Sequence, residues 1–68
     1  MTEQERIERV QNAMREMVKM GIDYTQMSVL LGGSISKRTL YRWAKGEVIP
    51  QRKTDVINIE KLSEQCKG

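Results

Sequence analysis

Glycine and proline cut this chain into pieces too short for anything but a small helical bundle. Gly21, Gly32-Gly33, Gly46 and Pro50 fall between segments whose apolar residues recur at steps of three or four. Runs of alternating β-branched residues are missing, so no strand is predicted, and the chain has neither an internal repeat nor a low-complexity stretch. Sixty-eight residues make one domain. A domain this small buries only roughly 60% of its unfolded surface. Its few large apolar residues must therefore all be placed well.

The first helix is expected over Glu3–Met20. Thr2 and Glu5 have the spacing of a capping box. Ile7, Val10, Met14 and Met17 form its stripe, with Ala13, Val18 and Met20 widening it. The methionines read as core filling rather than as a peptide groove, since Met fits irregular gaps. Gly21 suits the left-handed residue that ends a helix, and Ile22 can fold back on the last turn.

The second helix, Tyr24–Leu31, can be capped by Asp23 or Thr25. Tyr24, Met27, Ser28 and Leu31 share one face, where Ser28 is small enough to let another helix approach. The third helix, Lys37–Lys45, is capped by Ser36. Leu40, Trp43 and Ala44 form its apolar side, and Lys37, Arg38, Tyr41, Arg42 and Lys45 fall mostly on the other. Gly46 ends it, and Pro50 cannot continue a helix without cost. The last helix is expected over Thr54–Gln65, with Val56, Ile59 and Leu62 inward, Ile57 off that stripe, and Cys66-Lys67-Gly68 frayed.

Composition removes whole classes of function. Histidine is absent and cysteine is single, so a zinc site lacks ligands and imidazole chemistry is ruled out. Gly32-Gly33 is a turn and not a phosphate loop. The chain is expected to be no enzyme and to need no cofactor or metal. No apolar run is long enough to span a membrane, the polar start Met-Thr-Glu-Gln-Glu-Arg is no signal peptide, and Cys66 has no internal partner. Together these features point to a cytoplasmic binder.

Charge indicates what is bound. Between Ser36 and Lys53 lie six bases (Lys37, Arg38, Arg42, Lys45, Arg52, Lys53) and one acid, Glu47, a net +5. The remainder holds six bases, Lys19 and Lys61 among them as surface charges, and eight acids, a net −2. A positive patch on a near-neutral body is the footprint of a polyanion-binding protein. A helix that reads DNA needs apolar anchors on one face and donors on the other. Leu40 and Trp43 are the anchors; Lys37, Arg38, Tyr41 and Arg42 are the readers. The amides at Ser36 and Lys37 suit a phosphate.

These residues carry a resemblance. Thr25-Gln26, Gly32, the run Ser36-Lys37-Arg38-Thr39-Leu40-Tyr41-Arg42-Trp43-Ala44-Lys45-Gly46, and Pro50 resemble the XRE-type helix-turn-helix family of phage repressors and Cro-like proteins. The ending Trp-x-x-Gly-x-x-x-Pro is its most specific part. The resemblance covers roughly Asp23 to Leu62. It implies an all-α, λ repressor-like bundle of four to five helices containing a helix-turn-helix, and a sequence-specific regulator of transcription. It places Gln26 on the DNA backbone, and Ser36, Lys37, Arg38, Tyr41 and Arg42 on the DNA-facing side of a recognition helix in the major groove. Lys45, Arg52 and Lys53 are further candidates for phosphate.

The expected partner is a double-stranded DNA operator, bound as a homodimer, because one such helix covers too few base pairs for useful specificity. Ile49 and Ile57, unused by the inward stripe of the last helix, are the candidate dimer patch. One departure stands out, since family turns between the second and third helices are shorter. Either Gly33-Ser34 is an insertion of two residues, or Gly33 takes a core position and Leu30 the place of a small residue. The first is preferred. Two other identities compete: an excisionase or MerR-like winged module, which needs strands, and a protein-interaction module for an acidic partner.

Overall fold

A computed structural model describes residues 1–67. Four helices follow one another: α1 (Glu3–Lys19), α2 (Tyr24–Leu30), α3 (Lys37–Lys45) and α4 (Lys53–Lys67). The all-α class is as the sequence predicts.

The long first helix is the common support. Ile7, Val10, Ala13, Met14 and Met17 are its buried face, and both α4 and α3 pack on it. Val18 and Met20 do not widen that face as expected; both are exposed. Each helical residue turns about 100°, so Val18 swings past the edge of the stripe, and Met20 is already the cap. The N-terminal box is only half formed. Thr2 Oγ1 accepts the Glu5 amide at 3.1 Å, while the Glu5 carboxylate accepts from the Thr2 hydroxyl. At the other end Gly21 is left-handed, and the Ile22 amide donates back to the Met17 carbonyl at 3.0 Å. That is the expected fold-back, and it lays Ile22 against the core.

The turn between α2 and α3 is held by residues of its own. Gly32 and Gly33 are both left-handed, at φ +81° and +78°. Their amides donate to the carbonyls of Val29 and Ser28. Ile35 then turns inward and is buried, and its carbonyl accepts from the Ser28 hydroxyl at 2.7 Å. Ser28 thus acts as a polar staple rather than only as a small spacer. Gly33 and Leu30 are both exposed, and Met27 and Leu31 supply the inward side chains. Gly33 and Ser34 therefore lie in the turn without contributing to the core.

Leu40 and Trp43 are buried beneath α3, with Ala44 packed beside them. Gly46 ends the helix at φ +79°, and Gln11 of α1 donates to the Ala44 carbonyl at 3.1 Å. A Cβ on residue 46 would meet that Gln11 amide at 3.4 Å. Contact is tolerable there, but the backbone is not, since a left-handed L-residue costs about 1–2 kcal/mol. Gly46→Ala is expected to lower the melting temperature by that equivalent in a thermal denaturation. A variant as stable as the parent would mean that the end of α3 relaxes.

The last helix corrects the sequence reading at both ends. It begins at Lys53 rather than Thr54 and runs through Cys66 and Lys67, which were expected to fray. The reason is tertiary. Lys67 pairs with Glu16 of α1 at 2.6 Å, and the buried Ser63 donates to the same carboxylate. This contact, above all with Lys67, holds the Glu16 carboxyl below its usual range. Gly68 lies outside the described residues. Arg9 forms a two-pronged pair with Glu60, and Arg6 donates to the carbonyl of the buried Pro50 at 2.7 Å. Ile49 packs partly against the core, and Ile57 is half-buried. The two residues expected to form an open dimer patch are therefore partly occupied within the fold.

Candidate nucleic-acid interface

Helix α3 has two unlike sides because its apolar residues are spaced at three and four. The buried side fixes its axis through Leu40 and Trp43. The outer side presents Lys37, Arg38, Tyr41, Arg42 and Lys45, all exposed. Ser36 is also exposed, and its hydroxyl caps the helix by accepting the Thr39 amide at 3.3 Å.

Density of charge distinguishes this face: Arg6, Arg15, Lys19 and Lys61 also lack an ion pair among the described residues, but α3 gathers four exposed bases within nine residues. Arg9 and Lys67 are neutralised by Glu60 and Glu16 between α1 and α4. Among the described residues no carboxylate lies within ion-pair distance of Lys37, Arg38, Arg42, Lys45, Arg52 or Lys53. Arg52 and Lys53 are exposed where the chain enters α4, which packs chiefly on α1. The structure brings the α3 bases together on one helix, and these two stand just before and at the start of α4.

Gln26 is exposed at the start of α2, but its side chain is engaged. Its Oε1 accepts the Asp23 amide at 3.2 Å, while the Asp23 carboxylate accepts the Gln26 amide at 2.8 Å. This complete capping box was not anticipated, although Asp23 followed by Gln26 has the required spacing.

Tyr41 does not stand alone. Its ring meets that of Tyr24 edge to face, with centroids 6.0 Å apart and planes at 77°. The Lys45 ammonium lies 4.7 Å from the Tyr41 ring centre, a cation–π contact. Contact with Tyr41 raises the Lys45 pKa above its ordinary value. An open cleft of about 460 Å³ runs between the start of α2 and the first turns of α3. Asp23, Tyr24, Thr25, Lys37, Arg38 and Tyr41 line it. Tyr24 was assigned to the inward face of its helix, and no sequence rule links residues 24 and 41.

Comparison with protein-family models, curated proteins and solved structures returns no match. Chemically, the face is a set of hydrogen-bond donors, four of them cationic. Among the described residues no three His, Cys, Asp or Glu side chains converge where they could hold a metal ion. No helix of the described residues is long and apolar enough to cross a membrane.

Proposed function

We propose that this chain is a sequence-specific double-stranded DNA-binding regulator of the phage repressor and Cro-like kind, with the helix over Ser36–Lys45 as its reading element. One observation carries the proposal: a helix anchored by Leu40 and Trp43 gathers four exposed bases on one face, none of them in an ion pair among the described residues. Unpaired bases on a rigid support lose little on binding phosphate, whereas bases already in salt bridges must first give up a partner. The resemblance around Ser36–Gly46 and Pro50 supports the same reading. The described residues hold no strand, which leaves the winged alternative without its wing.

Two-fold pairing on DNA belongs to this proposal, because a nine-residue helix spans only a few base pairs. Selection of bound sites from a randomised duplex pool tests both parts. The expected site has two related halves with centres about 34 Å apart. Arg38→Ala and Arg42→Ala are each expected to weaken that site by about 1–3 kcal/mol for a lost base contact. Their melting temperatures should stay near the parent's, since neither side chain has a partner in the fold. No enrichment over the starting pool, together with retention on an acidic polypeptide, would favour the protein-interaction alternative. Normal binding by both variants would place the reading face elsewhere.

A further inference from the structure

The cleft between α2 and α3 has a chemistry unlike the rest of the basic face. Its lining is largely apolar and includes the Tyr24 and Tyr41 side chains, whose rings meet edge to face. Lys37 and Arg38 stand at its rim, and Asp23 contributes a carboxylate. A phosphate would meet that carboxylate at close range, so the cleft is a poor seat for the DNA backbone. An uncharged, partly apolar group suits it better.

In the major groove one feature of the base edges is apolar: the C5-methyl of thymine. Every other exposed reader on α3 is a cation that donates hydrogen bonds. Tyr41 is the exception, and its exposed ring has a neighbour on each of two sides. Tyr24 packs against its ring, and the Lys45 ammonium sits over it at 4.7 Å. A ring flanked on two sides offers an apolar wall at small entropic cost. Tyr24 is half-buried and comes from the other helix of the pair, so the wall also depends on how α2 and α3 pack.

We infer that the Tyr24–Tyr41 pair is a thymine-methyl seat, which makes these two tyrosines specificity-determining residues within the DNA-binding reading. Lys37 and Arg38 at the rim hold the flanking phosphates or base edges while the methyl contacts the rings. Tyr24 acts by positioning Tyr41 as well as by lining the seat.

The test uses the duplex obtained by site selection. Each thymine is replaced in turn by deoxyuridine, which removes the methyl and leaves the hydrogen-bonding edge unchanged. For the parent protein one thymine per half-site should be sensitive, binding about three- to fivefold more weakly as deoxyuridine, the worth of one buried methyl group. Tyr41→Phe, which keeps the ring, should keep that preference. Tyr41→Ala, an exposed position that leaves the core intact, should bind the two duplexes alike. A selected site without thymine, a parent indifferent to every replacement, or the same preference in Tyr41→Ala would each overturn the methyl seat while leaving DNA binding in place. Failure to retain any duplex would remove the DNA reading itself, and the seat with it.

Discussion

Trp43→Ala is expected to unfold most of the protein and to abolish DNA retention with it. Trp43 is 5% exposed and fixes α3 to a core that Met14, Met17, Leu40 and Ile59 complete. Truncating a buried tryptophan costs about 3–5 kcal/mol. A chain of 68 residues has a total stability of roughly 3–10 kcal/mol at typical values per residue. The loss is therefore comparable with the whole. Circular dichroism should show the melting temperature falling by more than about 12 °C, or no cooperative transition at all. The contrast with Arg38→Ala matters most, because that variant should melt normally and yet bind poorly. If Trp43→Ala melts within a few degrees of the parent, α3 is held by something other than its tryptophan.

The sequence shows the helices well and their long-range partners badly. Stops at Gly21 and Gly46 are legible because a left-handed residue favours glycine, and the cap at Ser36 is legible because its hydroxyl serves the chain three residues on. The stripes of α1 and α4 are legible from spacing alone. What fails depends on contacts far along the chain. The end of α4 looks frayed until Glu16 is found beside Lys67. Ile35 looks like a turn residue because it stands alone among glycines and serines, and only the Ser28 hydroxyl on its carbonyl shows how the turn is drawn inward.

Ile49 and Ile57 looked spare for the same reason: a stripe counted on one helix cannot see the loop and neighbours that cover its edges. The site divides the same way. The bases of α3 are read from a helical wheel. Tyr24 as their neighbour is not, because its contact with Tyr41 depends on how two helices meet across the turn between them. Residues that share a helix are legible as a face; residues that share only a cleft are not.

Salt should weaken binding to the selected duplex steeply, and the slope should reveal how many chains are bound. Each phosphate neutralised by a lysine or arginine releases condensed counterions, so the logarithm of affinity falls with the logarithm of salt by about 0.9 per contact. With about six to ten contacts, affinity would drop by roughly 10³ to 10⁵ between about 50 and 200 mM salt. Lys37→Gln should flatten the slope by about one if a single chain is bound, and by about twice that if two symmetric chains each bring the residue. Lys45→Gln carries a second effect, because its ammonium also rests on the Tyr41 ring. Losing that contact leaves the Tyr41 ring less ordered before binding, and the cost of ordering it on DNA should lower affinity at all salt concentrations alike, on top of the change in slope. Lys61, on α4 beside Leu30 and Leu31 at the end of α2, supplies the control, and Lys61→Gln should leave the slope as it was. A binding constant that stays level from low to high salt would mean that the free bases of α3 do not meet phosphate. A steep slope that Lys37→Gln and Lys45→Gln leave intact would take both lysines out of the phosphate contacts and leave these to the arginines of α3 or to Arg52 and Lys53.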